Sequence, residues 1–196
     1  MGADQAVIDV IDNGGQWTHR EWRMLRYLGV ETQILPNNTP LQELRELDGL
    51  ILSGGAARVG LTGELGNCAD YLSLDIPILG ICAGHQFMAR HYGGEAGEAP
   101  KPEFGAAIIS LVGDGGPLFR GTPSEQTVWE SHNDEVTVTP PGFTEIAHSE
   151  SCQVQAMQNE DLDRFGLQFH PEVNDTEFGS NIFENFVRIC KSAKSA

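Results

Sequence analysis

The sequence predicts an α/β fold: a single open, mostly parallel twisted sheet with helices on both faces and antiparallel strands in the C-terminal half. Two observations lead to this prediction. Up to Tyr92, short apolar runs rich in β-branched residues alternate with amphipathic stretches, which is typical of parallel βαβ units. After Gly93, shorter strand candidates are separated by Gly, Pro, Asn and Asp, which indicates antiparallel strands. We find no repeat and no linker, so residues 1–190 are expected to form one domain.

Strands and helices alternate through the N-terminal half. The first apolar run, residues 6–11, ends at an Asp-Asn-Gly-Gly sequence, and the next helix places Trp17, Leu25 and Leu28 on one face before it ends at Gly29. The later strands are bounded by Pro, Gly or small polar residues. These strands are residues 31–35, 49–53 and 76–81, and the helices are residues 17–28, 41–47, 66–74 and 84–92.

The C-terminal half is predicted to add short strands and a closing helix. Turn-forming residues separate the strand candidates, which are residues 106–112, 126–129, 135–138, 144–148, 153–158 and 165–169. The closing helix covers residues 178–190, with Ile182, Phe183 and Phe186 on its apolar side. Residues 191–196 are expected to be a frayed tail.

Composition and charge exclude several classes of function. The 196 residues include 28 Asp and Glu against 12 Lys and Arg, which gives a net charge of −16. Such a surface repels phosphate backbones and anionic lipids, so neither nucleic acid nor a membrane is an expected partner. No apolar run approaches the ~20 residues of a membrane span, and the N-terminus does not resemble a signal peptide, so we expect a cytoplasmic protein. The acid excess has two open interpretations: a solvated surface, or adaptation to high salt.

The most informative motif is Gly-Ile-Cys-Ala-Gly at residues 80–84. It lies where a buried strand ends and a helix begins, and its Gly-x-Cys-x-Gly form is the thiol version of the nucleophile elbow of hydrolases. The helix N-terminus favours the thiolate, which is the reactive form. We therefore predict that Cys82 is a nucleophile. The other cysteines, Cys68, Cys152 and Cys190, lack this context, and no pair has metal-ligand spacing.

A nucleophilic thiol needs a base, and the base needs an orienting group. His170 directly follows a strand candidate, so it is placed at the sheet edge where α/β proteins bind ligands. Glu172, two residues further on, can hydrogen-bond the imidazole. The sequence thus predicts a triad of Cys82, His170 and Glu172. The rival base is His132, whose turn-forming neighbours predict a binding loop.

Acyl transfer through a thiol also requires N–H donors that face the oxyanion. We predict that Ala83, at the start of the helix, supplies one donor and that Gly55 supplies the other. Gly55 belongs to the Ser53-Gly54-Gly55 sequence at the end of the neighbouring strand, where glycine lets the backbone approach a ligand closely. The segment matches neither a dinucleotide fingerprint nor a Walker loop, so no nucleotide site is expected in this chain.

Together, the Ser-Gly-Gly at 53–55, residues 80–86 and the His-Pro-Glu at 170–172 resemble the motifs of the class I (triad) glutamine amidotransferases over residues 6–190. The resemblance implies the flavodoxin-like fold of that family and hydrolysis of glutamine to glutamate and ammonia through a thioester. It gives Cys82 the role of nucleophile, His170 that of general acid and base, and Glu172 that of orienting group. The substrate contacts that it implies are Gly54, Gln86, Ser131, His132 and Asn133.

The segment Trp-Glu-Ser-His-Asn-Asp at 129–134 is similar to the Trp-x-Ser-His-Gly-Asp segment of GMP synthetases. This similarity implies a glutaminase subunit of the two-subunit archaeal type, with L-glutamine as its substrate and a separate ATP-pyrophosphatase subunit, which converts XMP to GMP, as its partner. No cofactor or metal is then expected in this chain, and ATP and Mg are expected on the partner. The sequence departs from that pattern at Asn133, where Gly is usual, and at Ala56-Ala57, which predicts a looser loop.

Three alternatives stay open at this point. The chain could be the glutaminase subunit of another amidotransferase, such as one for anthranilate or carbamoyl-phosphate synthesis, although residues 131–134 argue against it. It could be a catalytically silent binding subunit, although all three triad residues are present. The same triad could also serve a peptidase acting on γ-glutamyl bonds.

Overall fold

The computed structural model describes residues 5–195, so residues 1–4 of the predicted domain and residue 196 of the predicted tail lie outside the described residues. The described chain forms one nine-stranded sheet in the order β2-β1-β3-β4-β9-β8-β7-β5-β6. The strands are β1 (Ile8–Asp12), β2 (Ile34–Pro36), β3 (Gly49–Leu52), β4 (Ile78–Ile81), β5 (Glu95–Leu111), β6 (Glu125–Val138), β7 (Thr144–Ser149), β8 (Ala156–Asn159) and β9 (Arg164–Leu167). The helices are α1 (Thr18–Tyr27), α2 (Val59–Thr62), α3 (Cys68–Tyr71), α4 (Ala83–His91) and α5 (Gly179–Lys194).

The first five strands across the sheet are parallel, and their side chains enter two apolar cores. Ile51 belongs to the core that contains Leu25 of α1 and Phe186 of α5. Its neighbours in β3, Leu50 and Leu52, belong to the core that contains residues of α3 and α4. Because successive side chains of a strand point to opposite faces, helices cover both faces of the sheet, as the sequence predicts.

The pairing of β4 with β9 positions the site. These strands are parallel, with Gly80 opposite Gly166 and Ile81 opposite Leu167. The carboxyl ends of parallel strands meet at one edge of a sheet. The chain segments that leave β4 and β9, which carry Cys82 and His170, therefore emerge side by side.

The antiparallel part of the sheet confirms the predicted fold class but corrects one element. The sequence predicts two strands, 126–129 and 135–138, with a binding loop around His132. The structure has one strand, β6, over both segments and the residues between them. The predicted loop is wrong because the polar residues of this segment are the buried ones of an alternating strand: Gln126, Glu130, His132 and Asp134 are all buried. The alternation is carried by residues that usually form turns, so the local pattern resembles a loop.

Strand β5 also begins earlier than the predicted residue 106. The segment that the prediction leaves out contains Pro100 and Pro102, which have no N–H to donate to a ladder. The pairing of β5 with β6 accommodates them through a register shift between Glu98 and Glu103.

The helices differ from prediction mainly in length. The predicted helix over 41–47 is only a 3₁₀ turn, Leu41–Glu43, and that over 66–74 is the single turn α3. Helix α5 continues to Lys194, so the predicted frayed tail is helical over residues 191–194, and the Lys194 ammonium pairs with Asp48 at 2.9 Å. None of the helices in residues 5–195 is long and apolar enough to cross a membrane.

Candidate active site

The turn between β4 and α4 is a nucleophile elbow. Cys82 has φ 50° and ψ −105°, a left-handed conformation that a side chain rarely adopts. A Cβ atom on Gly80 would lie 2.7 Å from the backbone of Gly84, and one on Gly84 would overlap the carbonyl oxygen of Leu52. The two glycines are therefore needed for the sharp turn, and the N–H of Cys82 ties it to β9 by donating to Leu167 O at 2.8 Å.

His170 and Glu172 form a buried hydrogen-bonded pair beside this turn. His170 Nδ1 lies 2.7 Å from Glu172 Oε1, and both side chains are buried. The His170 backbone is held by its N–H, which donates to Trp129 O, and by Thr176 Oγ1, which donates to its carbonyl at 2.7 Å. Burial alone would lower the pKa of His170, but the Glu172 charge and hydrogen bonds with Cys82 and Glu172 raise it well above its usual value. His170 therefore carries its proton at neutral pH.

Gly54 shows how closely the triad is assembled. A Cβ atom placed on Gly54 would lie 3.0 Å from His170 Cε1 and 3.5 Å from Cys82 Cβ. The Gly54 backbone is thus in contact with both reacting side chains. The structure brings Cys82, His170 and Glu172 together, and the arrangement is that of a thiol with an acid–base imidazole and an orienting carboxylate.

The predicted oxyanion loop is held in place by its neighbour after β1. Asn13 N donates to Ser53 Oγ at 3.1 Å, and Asn13 Nδ2 donates to Ser53 O at 2.8 Å. A Cβ atom on Gly55 would overlap Asn13 O, so the two loops touch through their backbones. Gly55 and Ala83 both line the cavity beside Cys82. Their roles as oxyanion donors stay predictions.

All ten site residues predicted from the sequence line one cavity of about 400 Å³. The structure thus places the triad, both oxyanion candidates and the five substrate-contact candidates around a single space large enough for a small molecule. Two of the contact candidates have little bonding capacity to spare. Gln86 Nε2 donates to Asp134 O at 2.6 Å and to Gln168 Oε1 at 3.1 Å, so both amide hydrogens are used within the protein.

His132 is the second such residue, because its ring is held in a buried acidic cluster. Nδ1 lies 3.0 Å from Asp134 O, and Nε2 lies 3.0 Å from Glu103 Oε2 and 3.4 Å from Glu130 Oε2. Burial lowers the pKa of His132, but the Glu103 hydrogen bond and the Glu130 charge outweigh it, and the net pKa is raised. Burial raises the pKa of Glu130 to about 7.

The same cluster is the group of side chains in residues 5–195 that could hold a metal ion. The ligand atoms of Glu103, Glu130 and His132 lie within 4.8 Å of one another. An imidazolium between the two carboxyl groups balances their charge, so this cluster does not require an ion. We keep the prediction of no metal in this chain.

Sequence reasoning missed residues that α1 and the loop after β3 bring to the cavity. The ring of Trp17 meets that of His170 edge-on, with centroids 4.5 Å apart, and the buried Glu21 lies one turn later on the same helix face. Arg58 makes a bidentate contact with Asp134 at 2.5–2.9 Å, which joins the loop after β3 to β6. Only the four-residue spacing of Trp17 and Glu21 was visible as a signal.

Comparisons with known sequences agree with the geometry. The family model described as glutamine amidotransferase class-I matches residues 9–190. A subunit of the glutamine-hydrolysing GMP synthase of Thermococcus kodakarensis is 47% identical over 190 residues, which cover 94% of this chain and 98% of the relative. The protein of the same name from Thermoplasma acidophilum is 49% identical over 187 residues, which cover 94% and 93%.

Solved structures give the same result. The crystal structure of a GMP synthase subunit from Thermoplasma acidophilum matches with a TM-score of 0.93 and 47% identity, and covers 99% of this chain and 98% of that one. A glutamine amidotransferase from Thermotoga maritima, at 21% identity and a TM-score of 0.71, shares the fold. The family and fold predicted from the sequence are confirmed: the chain belongs to the class I glutamine amidotransferase family.

Proposed function

We propose that this chain is the glutaminase subunit of a two-subunit GMP synthase. It hydrolyses glutamine and supplies the ammonia to a separate ATP-pyrophosphatase subunit, which converts XMP to GMP. The observation that carries the proposal is the elbow thiol of Cys82 beside a His170 imidazole that is hydrogen-bonded to Glu172. The relatives named as subunits of glutamine-hydrolysing GMP synthase, at 44–49% identity over nearly their full length, support the choice of partner.

The geometry supports a two-step hydrolysis. Cys82 Sγ, as thiolate, attacks the side-chain amide carbon of glutamine, and the imidazolium of His170 gives its Nε2 proton to the departing ammonia. The product is a γ-glutamyl thioester. Neutral His170 then takes a proton from water, the resulting hydroxide attacks the thioester carbon, and glutamate leaves as the thiolate re-forms. Glu172 holds Nδ1–H throughout and stabilises each imidazolium.

The loops around the thiol supply the other interactions of this reaction. The N–H groups of Ala83 and Gly55 are the donors that we assign to the oxyanion of each tetrahedral intermediate. Gly54 lets the carbonyl carbon approach between Cys82 and His170, because any side chain there would occupy that space. The backbone of residues 131–133 on β6 and the free amide oxygen of Gln86 are assigned to the glutamine backbone end.

Cofactors and partner follow from this division of labour. We assign only L-glutamine to this chain, whereas ATP, Mg and XMP belong to its partner, and we place both proteins in the cytoplasm. Ammonia is uncharged as it leaves His170, so it can pass between the two proteins without a charged binding site.

The substitution Cys82→Ala tests the proposal in the reconstituted complex. Glutamine-dependent GMP formation should fall by about 10⁴-fold or more, because the nucleophile is gone. Added ammonium should still support GMP formation at the unaltered rate, because the partner is intact. Cys190→Ala, a buried cysteine on α5 outside the cavity, is the matched control and should keep glutamine use.

Two results would contradict the proposal. Glutamine use that survives in Cys82→Ala would remove the triad assignment. Stimulation of glutamine hydrolysis by a chorismate-using synthase, but not by an XMP-aminating one, would assign the chain to a different amidotransferase.

A further inference from the structure

Helix α1 brings a buried glutamate to the back of the triad. Glu21 is only 1% exposed, yet it lines the same cavity as His170 and Glu172. It arrives from an element on the opposite side of the cavity from the segment that carries the triad pair. Trp17, one turn earlier on α1, already packs against the His170 ring. The first turns of α1 therefore form a wall of the catalytic site, and the hydrolysis described above uses neither residue.

Two carboxyl oxygens in this region lack hydrogen-bond partners. Glu172 uses Oε1 to hold His170, and its other oxygen, Oε2, is buried without a partner among the described residues. Oε2 of Glu21 is likewise buried and unpartnered within residues 5–195. Native proteins rarely leave buried polar atoms unpaired, so each of these two oxygens calls for an explanation.

Charge decides which form Glu21 takes. Burial, followed by the charges of Glu172 and Asp12, raises the pKa of Glu21 well above its usual value, although the His170 charge and the backbone N–H of Gly54 act in the opposite direction. Glu21 is therefore a neutral acid at neutral pH. A neutral carboxylic acid has one O–H donor, which a carboxylate lacks.

We infer that Glu21 is a positioning residue of the triad: its O–H donates to the free Oε2 of Glu172 and fixes the carboxylate in the orientation that holds His170. One hydrogen bond then satisfies both unpartnered oxygens. The inference rests on the proposed function, because it gives Glu21 a task in the same hydrolysis. The groups that face Glu21 are Glu172 and His170 from the segment after β9, Asp12 from β1 and the Gly54 N–H from the loop after β3.

The protonation state of Glu21 can be measured on the full chain without any partner. Carbon-13 NMR of side-chain-labelled glutamate should show a carboxyl that stays protonated at about pH 7 and that disappears in Glu21→Gln. Glu130 gives a second such signal, because its pKa is about 7, and that signal should persist in the variant. A Glu21 carboxyl that is ionised at neutral pH would overturn the inference.

The donor role predicts a difference between two substitutions of similar size. Glu21→Gln keeps a donor in its amide N–H and should label Cys82 with a glutamine-analogue alkylating agent within about twofold of the unmodified chain. Glu21→Leu has no donor and should label about tenfold more slowly, with the half-saturating concentration of the analogue unchanged. Circular dichroism of both variants shows whether they are folded.

The pH profile separates positioning from packing. In the unmodified chain, labelling should fall at alkaline pH as Glu21 ionises and loses its donor, whereas Glu21→Gln should lack that limb. Equal rates for the Gln and Leu variants, or an alkaline limb that Glu21→Gln leaves in place, would refute the positioning role. If the unmodified chain did not react with the analogue at all, the proposed function would fail, and the carboxyl NMR titration would still decide the state of Glu21.

Discussion

Cys82 is held in a strained conformation by its neighbours. A non-glycine residue at φ 50° and ψ −105° costs about 1–3 kcal/mol and persists only where the surroundings over-determine it. Here the Cys82 N–H donates to Leu167 O, and its carbonyl accepts from Gln86 N at 3.0 Å. The strain directs the thiol to His170 at the sheet edge and away from the apolar core.

The His132 cluster stabilises the strand that lines the cavity. The pKa of Glu103 is lowered overall: burial raises it, but hydrogen bonds from His132 and Ser149 outweigh burial. The lowered pKa of Glu103 stabilises the fold above its unfolded pKa of about 4.5, and the raised pKa of His132 does so fully below about 6.5. The pair is therefore most effective between these two pH values, and its contribution falls as pH moves outside them.

Glu103→Gln tests this cluster. The variant should lose about 1–3 kcal/mol of unfolding free energy at about pH 5.5, because it replaces a charge-assisted hydrogen bond with a neutral one. The pKa of His132, followed by NMR, should fall, and the KM for glutamine should rise more than kcat changes. Urea unfolding of Glu95→Gln, an exposed glutamate on the same strand, is the control. Equal stability of the two variants would mean that the cluster contributes nothing.

At the scale of elements, two segments meet at the Arg58–Asp134 contact. Arg58 ends the loop that starts at Gly54, and Asp134 lies on β6 directly behind the Gln86 amide. The sequence predicts a loose loop, because alanines replace the usual residues after Gly55. In the structure the bidentate contact anchors the far end of that loop to β6. Loop and strand therefore hold each other across the cavity.

Arg58→Ala should impair catalysis more than folding. Its side chain is partly exposed, so the ion pair contributes little to global stability, and Tm should change little. The kcat for glutamine hydrolysis should fall about tenfold, because the Gly54–Gly55 backbone is less well positioned. Arg58→Lys should recover only part of the loss, since an ammonium cannot make the bidentate contact.

The matched control for this contact is Arg188→Ala, which removes a surface arginine paired with Glu184 on α5. Its kcat should equal that of the unmodified chain. An Arg58→Ala variant with normal kcat would show that the loop is held by its contacts with Asn13 alone.

For the whole molecule, the net charge of −16 predicts a response to salt. Repulsion among surface carboxylates opposes the compact state, and salt reduces it because the Debye length falls from about 10 Å at 0.1 M to about 3 Å at 1 M. Several basic side chains, such as Arg45 with Asp9 and Lys194 with Asp48, are already used in ion pairs. Most of the acid excess is thus uncompensated.

Tm should therefore rise as KCl increases from about 0.1 to about 2 M. A variant in which the exposed Glu64, Glu95 and Glu125 are replaced by Gln should show a smaller rise, because it starts with less repulsion. A Tm that is flat or falls with KCl would favour the interpretation of an ordinary solvated surface over adaptation to high salt.

Local patterns were sufficient for the parallel half of the fold and for the reacting residues. Apolar runs with glycine at their ends mark β1, β3 and β4, and the Gly-x-Cys-x-Gly turn and the residues 170–172 identify a triad without knowledge of any contact. These features have local signatures because backbone conformation and continuous burial on both faces restrict the residue types along a short stretch of chain.

Contacts between distant segments determined the rest. The sequence around His132 resembles a loop, and only pairing with β5 and burial against Glu103 and Glu130 make it a strand. Glu21 is an ordinary helix residue in the sequence, and the packing of α1 against the segment after β9 turns it into a buried neutral acid beside Glu172. A polar side chain is stable in the interior only when a partner reaches it, and that partner comes from far along the chain.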